Sequence, residues 1–142
     1  MVINTRDFGE VEILEEEILT FTRCIYGFNG LTKFIRLTDP ELVGIIWLQS
    51  VEDASICFIL IDLELYGLDY APVVSPDSAV LLDFEEGNVP KYFAMATFKE
   101  NIQESYMNLK SPIVVNESKK IALQEIIEEE YPLRFPLYES EE

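Results

Sequence analysis

The chain reads as a single all-β domain, a barrel or a sandwich. Short β-branched and aromatic runs recur along it, separated by turn residues at close spacing. Two of the runs, Ile45–Ser50 and Ile56–Leu60, are almost continuously apolar, as central strands are. Apolar residues make up 49% of the 142 residues, with nine Phe, seven Tyr and one Trp, enough to close a core. No internal repeat or linker divides the chain.

The elements follow in order. Val11-Glu12-Ile13-Leu14 and Ile18-Leu19-Thr20-Phe21 are short strand-like runs, and Glu15-Glu16-Glu17 between them predicts the exposed turn of a hairpin. Gly27 and Gly30 flank Phe28-Asn29 and mark a loop. Lys33–Leu37 reads as a half-buried strand, ended by the turn dipeptide Asp39-Pro40. Glu52-Asp53 form the turn between the two apolar strands. Ser75-Pro76-Asp77 has an N-cap followed by proline at the first helical position, which predicts a short helix near residues 76–84. Gly87-Asn88 ends that segment, and Tyr92–Phe98 and Ile113–Asn116 are strands. Residues 121–127 pose a conflict. Their propensity favours helix, but their apolar positions lack a 3.6-residue period and the connection from the preceding strand is short. A strand in a hairpin is the expectation. Pro132 and Pro136 argue against regular structure across most of the tail. Residues 1–138 form the domain, and the acidic residues 139–142 are expected to fray.

Charge sets the function classes. Asp and Glu total 27, Lys and Arg total 10, histidine is absent, and the formal net charge is -17. Such a field repels nucleic-acid phosphates and anionic membranes. It steers a basic partner inward. It also favours a monomer by self-repulsion. The longest apolar run, Ile56–Ile61, is too short to span a bilayer, and Met1–Asp7 lacks the pattern of a signal peptide, so the expected compartment is the cytosol.

Catalytic chemistry is missing from the pattern. Without histidine there is no Ser-His-Asp or Cys-His constellation and no His-ligated zinc. Phosphate-cradling glycine motifs and a calcium-loop motif are also absent. Cys24 and Cys57 lie too far apart for a redox or zinc pair, and Cys57 reads as a small buried hydrophobe. No enzyme activity, cofactor or metal site is expected.

Three blocks carry a resemblance. Phe8-Gly9-Glu10-Val11 is followed by the acidic turn, Phe21 and Gly27-Phe28. Trp47-Leu48-Gln49-Ser50 precedes Glu52-Asp53 and the strand of Phe58. Asn108-Leu109-Lys110-Ser111-Pro112-Ile113-Val114-Val115-Asn116 leads to Ala122, Gln124, Tyr131, Arg134 and Pro136-Leu137. In order and spacing the chain resembles the FliW family of bacterial flagellar assembly factors over nearly its whole length. Three positions depart from the family pattern: Cys24 replaces a loop glycine, Ser111 an alanine, and Asp62-Leu63-Glu64 stands where a proline often follows the strand. The resemblance implies a distorted, mainly antiparallel β-barrel. It implies two partners, the basic RNA-binding repressor CsrA and flagellin, exchanged so that free flagellin restores repression of its own translation. A flagellin export chaperone that does not bind CsrA is the alternative.

Individual residues divide into core and surface. Trp47 sits in an apolar run and reads as core, as do Phe8 and Phe21. Gln49 and Ser50 suit hydrogen bonds to the following turn, and Asn108, Pro112 and Asn116 shape turns and strand ends. The candidate partner-binding residues are Glu52 and Asp53 in one turn, and Asp62, Glu64 and Asp69 in the loop after the second apolar strand. Their carboxylates would pair with arginines of a basic partner. Charge reversal at Asp62 and Glu64 is expected to leave the fold intact.

Overall fold

The computed structural model describes residues 1–138. Its elements are β1 (Val2–Asn4), β2 (Glu10–Glu12), β3 (Leu19–Phe21), β4 (Lys33–Thr38), β5 (Ile45–Ser50), β6 (Cys57–Asp62), α1 (Leu63–Tyr66), α2 (Pro76–Leu82), β7 (Lys91–Thr97), β8 (Tyr106–Asn116), β9 (Ile121–Gln124) and β10 (Phe135–Pro136). One sheet runs β10-β8-β7-β6-β5-β4-β3-β9, and β9 pairs again with β8. That second pairing closes strands β3–β9 into a barrel. Every neighbouring pair in it is antiparallel except β3 and β9, where Thr20 lies opposite Ile121 and Phe21 opposite Ala122.

The continuous apolar runs have a simple cause: both faces of these strands are covered. Leu19, Phe34, Leu48, Leu60, Phe93 and Ile113 belong to the largest core cluster, which fills the barrel. Their neighbours point outward into separate clusters. Ile35 meets Ile3 and Ile13 of the β1–β2 ribbon. Ile61 and Ala94 lie beneath Leu63, Tyr70 and the C-terminal segment. Val114 and Leu123 lie beneath Leu82 of α2.

The predicted hairpin across Glu15–Glu17 does not form. These residues make one exposed 3-10 turn, while β2 pairs with β1 and β3 pairs with β4 and β9. The N-terminal segment wins because Ile3 and Ile13 are buried together on Ile35, a burial that the β2–β3 pairing would forgo. The strand over 121–124 and its hairpin with β8 are as expected, with Asn116 opposite Ile121. Pro136 nevertheless joins a two-residue strand opposite Tyr106. It does so at the sheet edge, where a missing amide proton breaks no ladder bond. The expected fraying of residues 139–142 falls outside the described residues.

Helix α2 is clamped at both ends. Ser75 is its N-cap, and its Oγ accepts from the Ser78 amide at 3.3 Å. The buried Glu125 carboxylate accepts from the Ser75 amide and hydroxyl at 3.1 and 3.0 Å. Asn116 Nδ2 donates to the Leu82 carbonyl at 2.9 Å. Burial alone would raise the Glu125 pKa, but hydrogen bonds from Ser78, Ser75 and the Ile126 amide outweigh it, and the net shift is downward. A carboxylate whose pKa is depressed by folding stabilises the fold above its unfolded pKa and loses that contribution as pH falls through the folded value. Glu125→Gln therefore loses roughly 1–3 kcal/mol at neutral pH. In urea titrations the deficit shrinks as pH drops below the ordinary glutamate range. A deficit independent of pH would assign the loss to packing instead.

Candidate functional site

The carboxylates singled out by sequence occupy two places. Glu52 and Asp53 sit in the β5–β6 turn; at the other end of β6, Asp62 is the last strand residue and Glu64 and Asp69 lie beyond it. Six strand residues separate the two groups by roughly 20 Å.

The first turn is built by the residues preceding it. Gln49 is fully buried, and its Nε2 donates to the carbonyls of Ser50, Ala54 and Ile56 at 3.0, 3.1 and 3.2 Å. Its Oε1 accepts the Arg6 amide at 2.9 Å. Ser50 Oγ accepts the amides of Glu52 and Asp53 at 3.1 and 3.0 Å. Glu52 in turn receives the amides of Thr32 and Lys33, both at 2.8 Å, which lower its pKa. Asp53 receives the Ser55 hydroxyl and amide, with the same effect. Both carboxylates are exposed, held in place and strongly ionised. Trp47 and Phe8, expected in the core, are both half-buried and lie outside the core clusters; they pack on each other with ring centroids 5.2 Å apart on the outer wall of the barrel.

The second group does not form a loop of equivalent charges. Asp62 ends β6 and caps α1, a single helical turn where the sequence predicts loop. Its Oδ1 accepts the amides of Glu64 and Leu65 at 3.1 and 3.3 Å, and its Oδ2 lies 3.2 Å from Lys91 Nζ. Gly67 ends the helix at φ 85°. Asp62 is 3% exposed, so its carboxylate is committed inside the molecule. Reversing its charge would set a buried cation against Lys91 and remove the cap, which argues against the expectation that the fold stays intact. Glu64 and Asp69 remain exposed.

Helix α1 lines a feature that sequence did not reveal. An apolar groove of about 180 Å³ runs between the β4–β5 turn, α1, the residue after β7 and the C-terminal segment. Val43, Leu65, Tyr66, Phe98 and Leu137 line it, and Val43 and Leu65 are 78% and 63% exposed. These residues come from four separated segments and follow no local period, so only the closed fold assembles them. The groove floor is fixed where the Asp62 amide donates to the Gly44 carbonyl at 2.8 Å. Among the described residues no group of Cys, Asp or Glu is arranged to hold a metal ion, and no helix is long and apolar enough to cross a membrane.

Position 24 has a negative φ, so the cysteine there meets no backbone strain that glycine would relieve. Gly27 and Gly30, at φ 87° and 89°, carry the loop's left-handed turns.

These roles separate two substitutions. Asp62→Ala removes the cap and leaves Lys91 without its partner, so thermal unfolding should register a loss of at least about 1–2 kcal/mol. Glu64→Lys, on the exposed side of the same turn, should stay within about 0.5 kcal/mol of the parent. Equal losses would contradict the division between a structural and a free carboxylate.

The sequence profile described as FliW protein matches residues 2–137. Flagellar assembly factor FliW of Thermotoga petrophila is 36% identical over 144 aligned positions, covering 100% of this chain and 96% of the relative. The protein of the same name from Bdellovibrio bacteriovorus is 32% identical, covering 97% of this chain and 79% of the relative. A crystal structure of the flagellar assembly factor FliW superimposes with a TM-score of 0.89 at 26% identity and covers 99% of both chains. Match, identity and barrel agree across the whole domain: the chain belongs to the FliW family of flagellar assembly factors.

Proposed function

We propose that this protein acts in the cytoplasm, as a monomer, by exchanging two protein partners. One is CsrA, the basic RNA-binding repressor of flagellin translation. The other is flagellin. Holding CsrA relieves repression, and flagellin that accumulates before export takes the protein back and restores it. The protein itself contacts neither nucleic acid nor membrane in this scheme.

The observation that carries the reading is an exposed apolar groove lined in part by α1, the helix that also carries the exposed Glu64, in a chain of net charge -17. Glu64 and Asp69 offer carboxylates that can pair with arginines otherwise used for RNA phosphates. The groove offers the apolar surface that an amphipathic helix of flagellin would need. A shared surface gives exchange by simple occlusion. Glu52 and Asp53, at the far end of β6, add to the long-range field that speeds the encounter. Asp62 contributes indirectly by holding α1 and thereby Glu64 in place. The alternative, a flagellin export chaperone without CsrA binding, needs only the groove.

Stopped-flow association with CsrA separates the two. Glu64→Lys should slow association several-fold at low ionic strength, and the difference should shrink as salt screens the field. Equal rates for parent and variant would remove Glu64 from the contact. Absence of CsrA binding by the parent, with flagellin binding retained, would leave the chaperone reading.

A further inference from the structure

The N-terminal ribbon leaves strand edges open. β1 and β2 pair only with each other, in a sheet separate from the barrel. Val2 lies opposite Glu12, Ile3 opposite Val11 and Asn4 opposite Glu10. Two bonds flank the ribbon and fix its register. The Ile13 amide donates to the Met1 carbonyl at 2.8 Å, and the Thr5 amide donates to the Gly9 carbonyl at 2.9 Å. In an antiparallel pair, bonded and non-bonded positions alternate. Ile3 and Val11 are therefore the bonded pair in the middle, and Glu10 and Glu12 turn their amides and carbonyls away from β1. Among the described residues those amides and carbonyls have no backbone partner.

Side chains follow the same alternation. Ile3, Val11 and Ile13 face the barrel and pack on Ile35. Glu10 and Glu12 project from the opposite face and are exposed. Glu15–Glu17 continue the row of exposed carboxylates just past the strand. Among the described residues none of these carboxylates has an ion-pair partner. The β1 edge is also open, but Val2 and Asn4 carry no charge.

An open edge can take an added strand, because the pairing is made by backbone. Side-chain charge then selects the strand. A second copy of this chain on the β2 edge would set glutamates against glutamates. A nucleic-acid strand would bring phosphates into the same field. An extended protein segment with Lys or Arg at alternate positions instead places its cations directly opposite Glu10 and Glu12, on one face of the enlarged ribbon. We infer that the open edge of β2 is a strand-addition site for a basic, extended protein segment. It shares no residue with the apolar groove, and it stands or falls independently of the function proposed for that groove.

The test is hydrogen exchange and NMR titration of the full-length 15N-labelled protein with short synthetic peptides in which Lys and Thr alternate. In the free protein the Glu10 and Glu12 amides should exchange fast, and those of Val11 and Ile13 slowly. The peptide should slow exchange at Glu10 and Glu12 several-fold. In the register that pairs charges, the lysine amides point at β2. A peptide methylated on those lysine amides keeps its charge but cannot donate to the Glu10 and Glu12 carbonyls, and it should lose the effect. The Glu10→Gln/Glu12→Gln double variant should bind the unmethylated peptide several-fold more weakly at low ionic strength, with protection at Val11 and Ile13 reporting an intact ribbon. Absence of binding would mean that the glutamates only guard the edge, and would overturn the site. Equal binding of the methylated peptide would reduce the contact to charge alone, and unchanged affinity in the double variant would remove the carboxylates; either result overturns it too. Shifts confined to Leu65, Phe98 and Leu137 would assign the peptide to the groove instead.

Discussion

Asn108 Oδ1 accepts the amides of both Lys110 and Ser111, at 2.9 and 3.0 Å, and the rest of the molecule depends on the bend these bonds hold in β8. On one side of the bend Asn108 lies opposite Met95 of β7, and on the other Ile113 lies opposite Phe93. Four residues of β8 therefore face one of β7, a large bulge that turns the strand. Its displaced backbone groups are all taken up. The Leu109 amide donates to the Pro132 carbonyl, and the carbonyls of Lys110 and Pro112 accept the amides of Ile127 and Glu125. The Tyr70 hydroxyl donates to the Leu109 carbonyl at 2.6 Å. Beyond the bend β8 pairs with β9 and closes the barrel; before it, β8 pairs with β10. One strand thus serves both the barrel core and the sheet edge at β10.

Charge and shape play different parts at the surface. The field of the whole chain acts at long range and favours any basic partner over any acidic one. It has no direction and little selectivity. Shape acts at contact, and the apolar groove and the exposed Glu64 of α1 lie on fixed backbone. Asp62 and Ser105 supply much of that fixity. Each is buried, and each holds the residue that reaches solvent beside it: Glu64 in one case, Lys99 in the other. Exposed polar contacts contribute more to recognition when their supports are already ordered.

Local signals survived the translation from sequence to structure, and non-local ones did not. The Ser75-Pro76 start of α2, the Gln49-Ser50 bonds to the next turn and the β8–β9 hairpin each depend on residues close in the chain. The β1–β2 ribbon, by contrast, exists because Ile3 and Ile13 find Ile35, and nothing near Glu15–Glu17 reports that contact. Asp62 was misplaced for a related reason. An N-cap aspartate and an exposed one look alike until the strand is known to run through position 62. Gly67, five residues on, was the available hint of a one-turn helix between cap and glycine. The groove had no sequence signal, since Val43, Leu65, Phe98 and Leu137 are isolated apolar residues in four segments.

Calorimetric titration of flagellin into the preformed complex with CsrA decides whether the two partners occlude each other on one surface. With occlusion, flagellin releases CsrA, so that the apparent affinity for flagellin falls as the CsrA concentration rises. A stable ternary complex, with flagellin affinity independent of CsrA, would contradict it.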